Sequence, residues 1–140
     1  MTAGQSSAAP IVLVLDDDPN TLLVLSSLLD SLDVQVLACA DESCALRYAQ
    51  ELLRPLDLLV ADVLLNGTNG PAVARQVIPL HPAMRLLFIS GFSLADLGRR
   101  ALLHPDDVRP GSVEFLQKPF AAEDFLAAVN HLLAAAASSR

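Results

Sequence analysis

The sequence predicts an α/β fold in which a parallel sheet of five strands is covered by helices on both faces. Three observations support this. The apolar run Ile11–Leu15 has no polar break, similar short runs alternate with helical patterns along the chain, and polar residues follow several runs directly. Uninterrupted apolar runs are typical of strands buried on both faces. Alternating strands and helices connected by right-handed crossovers bring all the strands' carboxyl ends to one edge.

The first half of the chain contains two predicted strands and two predicted helices. After the first strand, Asp18 is an N-cap candidate and Pro19 suits the first helical turn, so helix one is predicted to begin at Pro19. Its apolar stripe is Leu22, Leu25, Leu29 and Leu32. The second strand is predicted at 34–38 and the second helix at 41–53. The apolar face of that helix is Ala45, Tyr48, Ala49, Leu52 and Leu53.

The second half repeats the pattern three times. The predicted elements are strand three at 56–61, a loop at 63–70, helix three from Pro71 to near Pro79, strand four at Arg85–Ser90, helix four near 94–103 and strand five at Val113–Gln117. The last helix has its apolar stripe at Phe125, Ala128, Val129, Leu132 and Leu133. We therefore predict one domain over 10–134, a disordered tail at 1–9 and a frayed tail at 135–140.

Composition restricts the class of protein. The chain has 140 residues and a net charge of −7, which argues against direct binding to nucleic acid or to an anionic membrane. No apolar run approaches the length of a membrane span, and residues 1–10 lack the basic region and apolar core of a signal peptide, so neither is expected. Cys39 and Cys44 are predicted to be buried free thiols, consistent with a reducing cytoplasm. The histidines, His81, His104 and His131, are predicted to be solvated, and none is a candidate phosphodonor.

Polar side chains collect at the carboxyl ends of the predicted strands. Asp16 and Asp17 follow strand one, Asp62 strand three, Ser90 ends strand four, and Lys118 follows strand five. Carboxylates at this density suit Mg²⁺, and a cation, a lysine and a hydroxyl together suit a phosphoryl group. Asp62 is the candidate nucleophile, which would form an aspartyl phosphate. The alternative is that Asp18 caps the next helix and its acidic neighbours are merely solvated.

At these residues the chain resembles the receiver domains of two-component response regulators. The resemblance covers about Ile11 to Leu133 and rests on four motifs: the acidic pair, the D-x7-G spacing from Asp62 to Gly70, S-G after strand four and K-P-F after strand five. It implies a flavodoxin-like, doubly wound (βα)5 fold with strand order 2-1-3-4-5. The run 90–120 is also similar to receivers attached to hybrid histidine kinases.

The resemblance implies a metal site and a phosphoacceptor. Asp62 would accept a phosphoryl group from a phosphohistidine on a histidine kinase or a histidine phosphotransfer protein. Asp17, Asp62 and the backbone carbonyl of Leu64 would bind Mg²⁺, and Asp16 would act through water or Lys118. The chain would be a cytoplasmic signalling module, monomeric or dimeric on phosphorylation, rather than a dedicated enzyme, and it would have no output domain of its own.

The resemblance also implies a conformational switch. Ser90 and Lys118 would contact the phosphoryl group, and Pro119 would follow a cis peptide bond. Phe115 matches the aromatic switch position, which would link the site to a partner surface on helix four, strand five and helix five. The alternatives are local: Ser90 as a turn residue, Lys118 as a surface lysine and Phe115 as core packing.

Some positions depart from the family pattern. Asn66 replaces the usual proline and Asn69 the usual aspartate, which changes the stiffness and charge of the loop after Asp62. Leu64 and Phe92 occupy two positions that tune the lifetime of the phosphoryl group. Because both are apolar and cannot orient water, we predict slow autodephosphorylation. The connection at 103–112 is longer than the family norm. Its extra length either serves as a binding site for a dedicated partner or is a tolerated loop insertion.

Two other functions share parts of this pattern. Haloacid dehalogenase-type phosphatases also use an aspartyl phosphate and Mg²⁺, with a D-x-D motif after the first strand, which Asp16–Asp18 contains. The chain lacks room for their cap domain, and that function leaves Asp62, S-G and K-P-F unexplained. A receiver-like interaction module that needs no phosphorylation is the other alternative. Such modules usually lose an acidic residue or the lysine, and this chain retains them.

Overall fold

A five-stranded parallel sheet forms the centre of the computed structural model, which describes residues 8–138. The strands are β1 (Ile11–Leu15), β2 (Gln35–Cys39), β3 (Leu58–Asp62), β4 (Arg85–Ser90) and β5 (Val113–Gln117). Their order across the sheet is β2-β1-β3-β4-β5, and every neighbouring pair is parallel. The predicted fold class and strand order are confirmed. Residues 1–7 of the predicted tail at 1–9 lie outside the described residues.

Helices cover both faces of the sheet. They are α1 (Pro19–Leu29), α2 (Glu42–Glu51), α3 (Gly70–Val77), α4 (Leu94–Arg99) and α5 (Ala122–Ser138). Alternating side chains of β1 pack into two separate hydrophobic cores, one on each face of the sheet. Leu13 belongs to the core that includes residues of α2, α3 and α4, whereas Val12 belongs to the core with α1 and α5. The unbroken apolar run of β1 is therefore explained, because each face of this strand is covered by helices.

Helix ends depart from prediction in four places. Helix α1 ends at Leu29, so Leu32 of the predicted stripe lies outside the helix. Helix α2 ends at Glu51 because Leu52 adopts an extended backbone, so Leu53 leaves the predicted apolar face and is fully exposed. Helix α4 ends at Arg99 rather than near residue 103, since Ala101 has a φ of 57° and cannot continue the helix. Helix α5 continues through Ser138 and so includes residues 135–138 of the tail predicted at 135–140, while residues 139–140 lie outside the described part of the chain. Ala136 is buried there, which anchors the last turns.

The loop predicted at 63–70 contains a short hairpin. Leu64–Leu65 pairs antiparallel with Thr68–Asn69, and Gly67 at its tip has a φ of 76°, which glycine tolerates. Gly70 begins α3 against the strand end: a Cβ there would lie 2.4 Å from the backbone oxygen of Asp62. The glycine of the D-x7-G spacing therefore lets α3 start close to the candidate phosphoacceptor.

The cysteines and one histidine also differ from prediction. Cys39 and Cys44 form a disulfide between the end of β2 and the first turn of α2, so the expectation of free thiols is wrong. The two cysteines therefore no longer support a reducing compartment. His81 is buried, not solvated: its Nδ1 accepts from the backbone N–H of Leu56 at 3.0 Å, and its Nε2 lies 2.8 Å from the carbonyl oxygen of Ala49.

The loop after α4 contains a short turn and an isolated bridge. A 3-10 turn at Pro105–Asp107 follows buried Leu103, and Arg109 forms an isolated bridge with Val113. The loop thus rests against α4 and leads directly into β5. Among the described residues, no helix is long and apolar enough to cross a membrane.

Candidate phosphoacceptor and metal site

Four neighbouring strands bring the candidate site together. In the sheet, β1 pairs with β3 and β3 pairs with β4, so their carboxyl ends lie side by side. Asp16 and Asp17 follow β1, Asp62 is the last residue of β3, and Ser90 is the last residue of β4. Lys118 comes directly after β5, the next strand. The predicted grouping at one sheet edge follows from this parallel register.

The carboxylates of Asp16, Asp17 and Asp62 form one cluster. One oxygen from each lies within 4.8 Å of the others. Asp16 is fully buried, whereas Asp17 and Asp62 are partly exposed. Asp18 does not join this cluster: its carboxylate caps α1, accepting from the Asn20 N–H at 3.1 Å and from the Thr21 hydroxyl at 2.8 Å. The triple aspartate is thus divided into an acidic pair and a helix cap.

Backbone N–H groups hold each clustered carboxylate. Asp16 Oδ1 accepts from the Asp18 N–H at 2.9 Å, and Asp62 Oδ1 accepts from the Leu64 N–H at 3.2 Å. Asp17 Oδ2 accepts from the Asn66 N–H at 2.8 Å. These donors orient the carboxylates and stabilise their ionised forms.

Lys118 supplies the positive charge of the cluster. Its ammonium donates to Asp62 Oδ2 at 3.0 Å and to Asp16 Oδ2 at 3.3 Å. The Lys118–Pro119 peptide bond is cis. Burial alone would lower the pKa of Lys118, but the hydrogen bond and charge of Asp62, together with those of Asp16, raise it above its usual value. The lysine is therefore fully protonated at neutral pH.

Asp16 has a raised pKa. Burial is the main cause, and the nearby charge of Asp62 adds to it. The hydrogen bond from the Asp18 N–H and the charge of Lys118 act in the opposite direction without cancelling the effect of burial. The ionised carboxylate is consequently costly in the protein without a bound cation, which is typical of a site shaped for a ligand.

Ser90 and the loop after it lie beside the cluster. The Ser90 side chain is buried, and its hydroxyl oxygen accepts from the backbone N–H of Phe92 at 3.1 Å. The Phe92 ring is 36 % exposed, and the Arg100 guanidinium lies over it, 4.3 Å from the ring centre. Arg100 thus covers one of the two apolar positions predicted to shield a phosphoryl group.

Phe115 is not part of the cluster. It lies on β5 opposite Phe88 of β4, is partly buried, and packs against the core on the side of α2, α3 and α4. Its place is compatible with both readings of the sequence, as a switch residue and as core packing.

A divalent cation suits this donor set. Three carboxylates and one ammonium leave a net charge of −2, and carboxylate oxygens are the hard ligands that Mg²⁺ prefers. The Asn69 amide, at the position of the family's usual aspartate, lies outside the acidic cluster. Its oxygen caps α3 by accepting from the Ala72 N–H at 2.8 Å. Its substitution therefore leaves the candidate metal ligands intact.

Two features of the site were missed from the sequence. The contact between Arg100 and Phe92 joins a helix end to a loop, and the donor to Asp17 is a backbone group of Asn66. The only signal for the second was that a residue with an N–H occupies a position where the family usually has proline. The spacing of side-chain types could not indicate a backbone contact between positions so far apart.

The chain is similar to one protein family over most of its length. The response regulator receiver domain family matches residues 12–130. The chain belongs to this family, and its fold and acidic cluster agree with that assignment. It is thus a receiver domain of two-component signalling systems.

Individual relatives extend the likeness over most of the chain. The chain is 30% identical over 135 residues to the response regulator protein TodT of Pseudomonas putida, covering 96% of this chain and 56% of TodT. It is 26% identical to the response regulator receiver protein CpdR of Brucella abortus, covering 89% and 98%. A response regulator receiver protein structure from Sinorhizobium medicae has a TM-score of 0.75 at 26% identity, covering 91% and 97%. The chain thus spans little more than half of TodT but nearly all of CpdR.

Proposed function

We propose that Asp62 accepts a phosphoryl group from a phosphohistidine of a histidine kinase or a histidine phosphotransfer protein. The observation that carries the proposal is the position of Lys118, whose ammonium donates to both Asp62 and Asp16 inside a three-carboxylate cluster. A carboxylate next to a fixed cation and a candidate Mg²⁺ site is suited to phosphoryl transfer.

The proposed phosphoryl transfer is a nucleophilic displacement at phosphorus. A carboxylate oxygen of Asp62 forms the new O–P bond, the P–N bond to the donor imidazole breaks, and the imidazole nitrogen keeps the bonding electrons. The product is a mixed anhydride on Asp62. Asp17, Asp62 and the carbonyl of Leu64 would hold Mg²⁺, with Asp16 acting through water. The bound cation would neutralise the negative charge of the phosphoryl oxygens.

Lys118 and Ser90 provide the response to phosphorylation. Lys118 would exchange its bond with Asp62 Oδ2 for one to a phosphoryl oxygen, because that oxygen now carries the negative charge. The Ser90 hydroxyl, which accepts from the Phe92 N–H in the structure, would turn to donate to the phosphoryl group. Each change removes an existing contact, so the loop after β4 is the first segment expected to move.

The output of the switch would be a change in surface. Phe115 would move inward as Ser90 turns, altering the face formed by α4, β5 and α5. A downstream protein, or a second phosphorylated copy of the chain, would bind that face. We infer that this domain acts by such contacts in the cytoplasm, as a phosphoacceptor rather than as a dedicated enzyme.

A phosphatase that uses a nucleophile after the first strand is disfavoured by the role of Asp18. The second aspartate of the D-x-D motif is committed to capping α1 through Asn20 and Thr21. A receiver-like module that works without phosphorylation is also disfavoured, since the acidic pair, Asp62 and Lys118 are all present and in contact.

The test is intact-mass measurement after incubation with acetyl phosphate and Mg²⁺. We expect wild type to gain one phosphoryl group and Asp62→Asn to gain none, because the amide lacks the nucleophilic oxygen. Asp18→Asn is the matched control: it keeps the helix cap and should be labelled like wild type. A phosphoryl group gained by Asp62→Asn would contradict the assignment of Asp62 as the phosphoacceptor. If neither protein is labelled, transfer from a phosphohistidine donor decides between a receiver that requires its partner and a module that is never phosphorylated.

A further inference from the structure

The backbone N–H of Asn66 reaches across the site to the acidic pair. It donates to Asp17 Oδ2 at 2.8 Å, although the two residues are 49 positions apart. This bond ties the tip of the 64–69 hairpin to the end of β1. Asp17 is partly exposed, and its carboxylate oxygen is one of the three grouped with Asp16 and Asp62. The hairpin tip is thus attached directly to a candidate metal ligand.

A donor in this position affects how well a carboxylate binds a cation. Asp17 is partly exposed, and a side chain that rotates freely loses conformational entropy when a metal fixes it. A hydrogen bond to one oxygen holds the carboxylate in place and leaves the second oxygen available for a ligand bond. Groups that orient metal ligands in this way typically change metal affinity by about 10- to 100-fold.

The chain achieves this contact through its departure from the family pattern. A proline at position 66 has no N–H and could not make the bond. The donor is a backbone group, so most other residues at this position could supply it. The exposed amide side chain of Asn66 is therefore not required for the contact.

We propose that Asn66 is a positioning residue for the divalent cation, whose backbone N–H pre-orients Asp17 and couples the 64–69 hairpin to metal binding. This inference rests on the proposed function, since it takes the acidic cluster to be the Mg²⁺ site. The coupling is reciprocal: whatever the hairpin contributes to Mg²⁺ affinity, Mg²⁺ returns as stabilisation of the Asn66–Asp17 bond.

Two variants at one position separate the N–H from the side chain. Asn66→Pro removes the backbone N–H donor. Asn66→Ala removes the side-chain amide but keeps the backbone N–H. The proline fits the local backbone, because the preceding Leu65 is in a strand and the following Gly67 has a positive φ, as in a type II turn. Circular dichroism and urea unfolding without Mg²⁺ establish that each variant is folded.

The primary measurement is Mg²⁺ affinity of the full chain by isothermal titration calorimetry. We expect Asn66→Pro to bind Mg²⁺ about tenfold more weakly than wild type, and Asn66→Ala to match wild type. Equal affinity in wild type and Asn66→Pro would overturn the inference while leaving the proposed function intact. Equal weakening in both variants would also overturn it, because the side chain would then be responsible. A wild-type chain that binds no Mg²⁺ would contradict both proposals.

A second measurement does not depend on the proline variant. Amide exchange of Asn66, followed by NMR without Mg²⁺, should be about tenfold faster in Asp17→Ala than in wild type, since the charged acceptor is removed. The Ala72 amide, which donates to Asn69, is the internal control and should exchange equally in both proteins. Unchanged protection of Asn66 in Asp17→Ala would show that the bond to Asp17 is not formed and would overturn the inference.

Discussion

Lys118 Nζ lies 3.0 Å from Asp62 Oδ2, although Asp62 ends β3 and Lys118 follows β5, and these two strands are not neighbours in the sheet. Strand β4 separates β5 from β3, so the lysine side chain extends past the end of β4 to reach the candidate phosphoacceptor. The same ammonium contacts the buried Asp16. One cation therefore stabilises carboxylates on two strands, and the electrostatic balance of the site depends on it.

Asp16→Asn should stabilise the protein in the absence of divalent cations. Burial raises the pKa of Asp16, so the native state binds its proton more tightly than the unfolded state, whose pKa is about 3.9. Stability supplied by the protonated form is present below that value and is lost as pH rises through the higher folded pKa. The variant should gain about 1 kcal/mol at pH 7 and less at pH 4.

Urea unfolding at both pH values, with chelator present, checks this expectation. Asp33→Asn, at an exposed position, removes the same charge and serves as the control for net charge. A destabilised Asp16→Asn at pH 7, with an unaffected Asp33→Asn, would mean that the ion pair with Lys118 outweighs burial. Asp16→Asn should also weaken Mg²⁺ binding, which separates the structural gain from the functional loss.

The phosphoryl group on Asp62 should be lost slowly. Leu64 and Phe92 offer no side-chain group to orient an attacking water, and Arg100 covers the Phe92 ring. Leu64→Asn should release phosphate at least about tenfold faster, since the amide can hold a water molecule near the anhydride. The decay of the labelled mass over time measures this, with Leu23→Asn, an exposed position on α1, as control. A wild-type half-life of seconds would contradict the shielding argument.

His81→Ala should destabilise the fold by about 1–3 kcal/mol, because it leaves the buried Leu56 N–H and the Ala49 carbonyl without their imidazole partner. Phosphorylation of Asp62 should be retained, since His81 lies near the start of β3, at the opposite end from the site. His131→Ala is the matched control: its ring is exposed and pairs with Glu114, so its loss should cost under about 1 kcal/mol. Thermal unfolding measures the stability of both variants. Equal losses of stability in His81→Ala and His131→Ala would argue against a structural role for His81.

Reduction of the Cys39–Cys44 disulfide should lower stability by about 2 kcal/mol, the modest value expected for a short loop. Because the carbonyl of Cys39 accepts from the Asp16 N–H at 3.1 Å, the end of β2 next to the site should loosen as well. Urea unfolding with and without reductant measures the effect, and Cys44→Ala should be insensitive to reductant. If the stability of wild type is also unaffected by reductant and two thiols can be titrated, the Cys39–Cys44 disulfide does not form in solution.

Much of the fold could be predicted because its signals are local. The apolar run of β1, the cap at Asp18 and the alternation of strand and helix patterns each depend on residues within a few positions. Once the strands are parallel, their carboxyl ends must share an edge, so the placement of Asp62 and Lys118 followed from the same local signals. The ends of helices were less predictable. Ala101 ends α4 through a backbone conformation that its residue type disfavours.

The sequence by itself determined the fold class and the residues that gather at the sheet edge, because periodicity and strand ends are properties of short segments. The strand order was implied by the family resemblance alone. Only the tertiary structure decided that His81 is buried, that Cys39 meets Cys44 and that the Asn66 N–H meets Asp17. Two of these contacts join positions far apart in the chain through a backbone group. A backbone N–H is the same in nearly every residue, so no pattern of side chains records where it will find its acceptor.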